Sequence, residues 1–307
     1  MTTIGTSAFY SSAILNLNKL ATSTGDLQQQ ISTGNRLTNS YDDPVAAAQM
    51  RTLQAADSLA TTTTANTNAA NASLTQTDST LSQFTSIVTD IQTLATQAAN
   101  GTLTTSDKAK IGVQINAYYQ NLVSLANTKD AYGTSLFAGT APGPAYTLDA
   151  SGNATYAGSG SANPVSLGGA MTVTPSVTGP EVLNFTTAGG QSGNLLSSVK
   201  ALADGLQNGT LTGDQMNASG GAFDQLSSAL DQITTAQTVV GARLSWISTA
   251  QSVQTAATTQ RTTTESDVGG TNLTTAAAQL SQQMTILSAS QASFSKLAGL
   301  SLFTYIN

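Results

Sequence analysis

Cysteine and histidine are both absent from this 307-residue chain. Without a thiol there is no disulfide and no thiolate nucleophile. Without an imidazole there is no histidine acid–base chemistry, and zinc sites built on either residue are excluded. Charge is scarce too. Lys, Arg, Asp and Glu supply 8% of the residues, against roughly 25% in an ordinary soluble protein. The net charge of −6 and the lack of a basic stripe argue against nucleic acid as a partner. Weak repulsion between copies suits a subunit that packs against its own kind. No apolar run approaches the ~20 residues of a membrane span. The opening "MTTIGTSAFYSSAILNLNKL" lacks the basic start and compact apolar centre of a cleaved secretory signal. Glu181 and Glu265 are the only glutamates, and the aspartates are scattered. They form no acid–base pair, no metal constellation and no loop of EF-hand spacing, so neither catalysis nor a cofactor nor a metal is expected.

What the chain does have is periodicity. Tyr10, Ala13, Leu17, Leu20, Thr24, Leu27 and Ile31 alternate spacings of three and four, the stripe a helix presents to another helix. Thr33-Gly34 supplies a stop, because glycine enters the left-handed region cheaply. Asp43-Pro44 supplies a new start, Asp as N-cap and Pro in the first turn. The pattern predicts helix from Pro44 to about Asn100, with Leu74, Leu81, Phe84, Val88, Ile91, Ala95 and Ala98 on one face. A second helix is expected over Asp107–Thr128 through Ile111, Ile115, Tyr118, Leu122 and Leu125.

From about Tyr132 to Gly193 the composition changes. Gly- and Pro-rich turns separate short β-prone pieces such as "MTVTP" and "EVLNFTT", which predicts a small inserted β domain. Helix returns near Leu195–Leu206 and then in a long segment bearing Leu226, Leu230, Ile233, Gln237, Val240, Leu244, Ile247 and Gln251. After "SDVGGTN" a last helix starts, with Asn272 as candidate cap. Its expected seam is Leu273, Ala277, Leu280, Met284, Leu287, Gln291, Phe294 and Ala298. Ile286, Leu297, Leu300, Leu302 and Phe303 extend apolar surface to a second face.

The expected organisation is therefore mainly α with an inserted β domain. Residues 1–42 and 266–307 form a terminal helical domain with linkers, residues 43–131 and 195–265 a helical bundle, and residues 132–194 the β insertion. A fully buried Leu-sized side chain contributes about 1.5–3 kcal/mol, while ordering one residue costs about 1–2 kcal/mol of backbone entropy. A lone pair of end helices is thus marginal, and a last helix apolar on two faces calls for further partners. The candidate assembly residues are Leu17, Leu20, Leu27, Ile31, Leu273, Leu280, Met284, Leu287, Phe294, Leu297, Leu302 and Phe303. An intramolecular coiled coil whose second face packs on the central helices fits the same spacing.

The stretch "QISTGNRLTNSYDDPVAAAQM" (Gln30–Met50) resembles the N-terminal signature of the flagellin-like proteins of bacterial flagella. Flagellin proper typically has Ala-Ala-Gly after the paired aspartates; Pro44-Val45-Ala46-Ala47-Ala48 is closer to the hook–filament junction branch of that family. "AYGTSLFAGT" (Ala131–Thr140) resembles the family's passage into its β domain, and "VVGARLSWI" (Val239–Ile247) its returning helix. "SASQASFSKLAGLSLFTYIN" (Ser288–Asn307) is similar to its terminal signature. The β insertion matches least.

The resemblance implies a flagellin-like fold, with N- and C-terminal helices forming a coiled coil, a helical-bundle middle layer and a small central β domain. It implies an extracellular structural subunit at the hook–filament junction, exported through the flagellar channel without a cleaved signal peptide. Its implied partners are further copies of itself in a layer, hook-associated protein 1, flagellin, and a cytoplasmic export chaperone at the C-terminal helix. Flagellin or a minor filament subunit is the alternative within the same family. Family architecture makes the break a spoke between inner and outer helical layers: Gly34 for the turn, Asp43 and Pro44 for the restart. Arg36 would pair with Asp42 or Asp43.

Overall fold

The computed structural model describes residues 2–131, 133–160 and 163–303, with side chains described for residues 8, 10–131, 133–160 and 163–296. The order of elements is α1 (Thr2–Thr33), α2 (Pro44–Ala99), α3 (Thr105–Ala126), β1 (Tyr146–Leu148), β2 (Ala154–Tyr156), β3 (Val165–Gly168), β4 (Met171–Val173), α4 (Gly179–Leu183), β5 (Asn184–Thr186), β6 (Ser192–Asn194), α5 (Leu195–Gln207), α6 (Gly213–Asn217), α7 (Ala222–Gly269) and α8 (Leu273–Phe303). The contacts divide the chain into two units. One comprises Met1–Leu59 and Ala256–Asn307, the other Ala60–Thr255.

The second unit holds the main core. The α2 stripe expected from periodicity is buried throughout, with Leu74, Leu81, Phe84, Val88 and Ile91 wholly inaccessible. From α7, Leu226, Ile233, Val240 and Ile247 are buried in the same cluster, as are Ile115 and Leu122 of α3. Phe84 meets Phe137 edge-on, ring centroids 6.1 Å apart. α3 is capped by Thr104, whose hydroxyl accepts the Asp107 N–H at 3.2 Å. It packs against α5 at Gly112. A β-carbon there would stand 2.8 Å from the Ala203 carbonyl oxygen and 2.9 Å from the Gln207 nitrogen, so only glycine permits this approach.

Polar residues in the α2–α7 contact are satisfied locally. Thr67, Thr77 and Thr80 are buried, and their hydroxyls donate to the carbonyls of Thr63, Ser73 and Gln76 one turn back. Gln254 Nε2 donates to Thr67 Oγ1 at 2.9 Å and to the Leu167 carbonyl at 2.6 Å. Gln251 reaches Asn68 and Gln237 reaches Ser82. As residue numbers rise along α7 they fall along α2, so these links fix an antiparallel register between two helices with few charges to do so.

The inserted region forms three separate two-stranded antiparallel hairpins, β1–β2, β3–β4 and β5–β6. Asn127 acts as a partner to the first, its side chain accepting from Tyr146 N and donating to Tyr146 O. Arg243 donates to the Thr174 and Ser176 carbonyls and Trp246 to that of Thr172, which tie the second hairpin to α7. In "EVLNFTT" only Asn184–Thr186 is strand. Glu181–Leu183 belong to α4, because Thr178 and Glu181 form a capping box and Pro180 sits in the first turn. The cap outranks the β-propensity of Val and Leu.

Candidate assembly interface

The two ends of the chain lie side by side as α1 and α8. The α1 stripe is built as its spacing dictates. Leu27 and Thr24 are buried, and Tyr10, Ala13, Leu17, Leu20 and Ile31 are half-buried. Thr24 satisfies its hydroxyl by donating to Leu20 O at 2.8 Å. On α8 the less accessible positions are Ala276, Leu280, Gln283, Leu287, Ser290 and Phe294, again alternating four and three. Tyr10 and Phe294 meet edge to face, 5.6 Å between centroids at 86°.

This seam differs from the one read off the sequence. Leu280, Leu287 and Phe294 belong to both, but Ala276, Gln283 and Ser290 take the places assigned to Leu273 or Ala277, Met284 and Gln291. A helix apolar on two faces carries two overlapping stripes, and spacing alone does not say which one its partner covers. Leu273, Met284 and Ile286 are left 53%, 48% and 45% exposed, and from α1 so are Ile14 and Leu15, at 48% and 68%. A groove of about 580 Å³ opens along the pair, lined by Leu17 and Leu20 on one side and Ile286, Ala289 and Phe294 on the other. The side chains of Leu297, Leu302 and Phe303 lie outside the described ones.

The connection from α1 to α2 is organised around Arg36. Gly34 turns the chain at φ +73° while its N–H donates to Gln30 O. Arg36 N donates to Gly269 O at 2.7 Å, and Thr271 N donates to Gly34 O at 2.8 Å. These bonds clamp the α1–α2 turn to the α7–α8 turn. The Arg36 guanidinium donates to Asp43 Oδ2 at 3.2 Å and to Val268 O at 3.0 Å. Asp42 is engaged elsewhere, accepting from Thr38 Oγ1 and Asn39 N. Asp43 Oδ1 caps α2 by accepting from Ala46 N at 3.0 Å, with Pro44 the first helical residue. The Ala46 amide first, and Arg36 next among its partners, hold the Asp43 carboxyl below its ordinary range.

A second clasp lies farther along the same unit. Arg261 Nε donates to Asp57 Oδ1 at 2.7 Å, and its Nη2 donates to Thr258 Oγ1. Glu265, one turn beyond Arg261, shares a hydrogen bond with Asp57. Arg261 holds Asp57 low, whereas partial desolvation and then the Asp57 carboxylate push Glu265 up. Residues 57 and 261 carry no local motif, so the sequence did not single them out.

Among the described residues no group of three or more acidic side chains could hold a metal ion. No described helix is long and apolar enough to cross a membrane. The arrangement offers surfaces for packing.

Residues 4–141 match the bacterial flagellin N-terminal helical region. Flagellar hook-associated protein 3 of Salmonella typhimurium is 26% identical over 293 residues, covering 90% of this chain and 91% of that protein. The protein of the same name from Escherichia coli is 36% identical over 111 residues, a match spanning 36% of this chain and 35% of the relative. Flagellar hook associated protein-3 of Legionella pneumophila shares the fold, with a TM-score of 0.65 and 15% identity over 71% of this chain and 98% of that one.

Fold and paired ends together define a flagellin-like, mainly α-helical protein. Within that class, the sequence relatives support hook-associated protein 3.

Proposed function

We propose that this chain is a structural subunit of the bacterial flagellum that forms a layer between hook and filament, assembling through its terminal helices. The observation that carries this reading is the α1–α8 pair. Each helix covers one stripe of the other and leaves Ile14, Leu15, Leu273, Met284 and Ile286 facing outward. Apolar residues in such number on one helix pair mark a surface completed by other chains. A neighbouring α1–α8 pair supplies the same chemistry, so copies of this chain are the first partners. Hook-associated protein 1 on the hook side and flagellin on the filament side are the next.

The clasps at Arg36 and Arg261 set the direction in which the helix pair leaves the connecting turns, which fixes its presentation to neighbours. Before export, a cytoplasmic chaperone would cover the apolar α8. The subunit then passes through the flagellar channel and acts outside the cell. The low charge serves close packing without repulsion between copies.

Deletion of the coding sequence in a flagellated host tests the assignment. A junction subunit predicts intact hooks and flagellin shed into the medium. A flagellin or minor filament subunit predicts hooks that keep their capping proteins, with little or no flagellin shed. Imaging a tagged copy as a band at the base of the filament supports the junction, and labelling along the filament overturns it.

A further inference from the structure

The pentapeptide Asn-Gly-Thr-Leu-Thr occurs twice, at Asn100–Thr104 and Asn208–Thr212, each time directly after a helix. The Asn-Gly step and the three residues after it are the same at both sites, so a large difference in native reactivity that vanishes on unfolding comes from the fold. The fold treats them differently. At the first copy, Asn100 Oδ1 accepts two hydrogen bonds, from Thr102 N at 3.1 Å and from Thr102 Oγ1 at 2.9 Å. The Gly101 N–H has no hydrogen-bond partner among the described residues, and nothing lies within 4 Å of where a Gly101 β-carbon would stand.

At the second copy, Asn208 is a helix C-cap at φ −87°, ψ −3°, and the Gly209 N–H donates to Leu206 O at 3.3 Å. Gly209 is held at φ +67°, and a β-carbon there would stand 2.9 Å from Thr105 Cγ2. Its nitrogen is engaged and its surroundings are closed.

We propose that Asn100 is a site of self-catalysed deamidation, and that Asn208, in the identical pentapeptide, is protected. The Gly101 nitrogen attacks Asn100 Cγ and gives up its proton to solvent base as the N–Cγ bond forms. Negative charge develops on Oδ1, where the Thr102 N–H and hydroxyl already point, the arrangement that stabilises an oxyanion. The Cγ–Nδ2 bond breaks and ammonia leaves with a proton from water. The resulting succinimide adds water at either carbonyl, giving aspartate or isoaspartate at position 100. No oxidant, enzyme or cofactor enters; water is the only co-reactant.

The product has consequences where it forms. A new carboxylate sits just beyond the C-terminal end of α2, the end that disfavours negative charge. An isoaspartate also lengthens the backbone beside Ala99. There the start of α6 is packed so closely that a Gly213 β-carbon would stand 2.7 Å from the Ala99 carbonyl oxygen.

The test is peptide mass spectrometry of the full chain incubated in mildly alkaline buffer, with isoaspartyl methylation as a second readout. In the native chain, conversion at Asn100 is expected to outrun that at Asn208 by roughly tenfold or more. In urea, where both pentapeptides are released, the two rates converge. Thr102→Ala slows Asn100 several-fold, and Thr102→Ser, which keeps the hydroxyl, restores it. Asn208 doubles as a folding monitor, since a variant that unfolds raises its rate. If Thr102→Ala proves unfolded, the native-against-urea comparison decides. Equal native rates at the two sites, or a folded Thr102→Ala variant with an unchanged rate at Asn100, overturn the proposal.

Discussion

The ring of Tyr10 meets the ring of Phe294 edge-on, 284 positions away in sequence, with centroids 5.6 Å apart. This contact ties the beginning of the described chain to its last described turns. Phe294→Ala removes the ring from a half-buried site, so its cost is smaller than that of a core phenylalanine, about 1–2 kcal/mol. Hydrogen exchange read amide by amide should show faster exchange in α1 and α8. Unchanged protection would mean that the contact does not hold the pair.

Gly34 stands at φ +73° with open space where a β-carbon would be. Gly34→Ala therefore meets no clash and pays only for the left-handed backbone, about 1 kcal/mol. Urea titration should show a lower midpoint with an unchanged slope. A change in slope would instead report a rearranged connection.

Gly112 gives the opposite case. Here φ is not the constraint; the Ala203 and Gln207 backbones are. Gly112→Ala forces α3 and α5 apart and should destabilise by about 1–3 kcal/mol. Thermal unfolding followed by circular dichroism checks it. A midpoint equal to that of the parent would show that the two helices shift freely.

The carboxyl pair at Asp57 and Glu265 makes stability depend on pH with a definite sign. Glu265 is raised above its ordinary 4.5 in the folded chain, so the native state binds the proton more tightly than the unfolded one. That contribution is complete below pH 4.5 and is lost as pH rises through the higher folded value. Asp57, lowered from 3.8, contributes in the reverse sense and is lost only in stronger acid. Glu265→Gln keeps a hydrogen-bonding group without the titration. It should flatten the loss above pH 4.5 in urea midpoints measured across mildly acidic to neutral pH, and a curve parallel to the parent would refute the role of the pair.

The long-range pairing of the ends was legible because the three-four spacing of α1 from Tyr10 to Ile31 is matched by the spacing of α8. The identity of the α8 seam was not, since Met284 and Ile286 are larger and more apolar than the Gln283 and Ser290 that α1 covers. The restart at Asp43-Pro44 was legible from cap chemistry. The β-prone look of "EVLNFTT" led to a strand expectation that covers only Asn184–Thr186, because Thr178 and Glu181 cap a helical turn just before it. The Asp57–Arg261 clasp joins residues 204 apart, and no local pattern announces such a pair.

The buried hydroxyls of Thr67, Thr77 and Thr80 each return to a carbonyl of their own helix, and among the described residues few ion pairs brace either unit. Dissolved electrolyte consequently finds little to shield. A chain braced this way should hold its own fold from fresh water to brine, since most contacts inside each unit join neutral atoms.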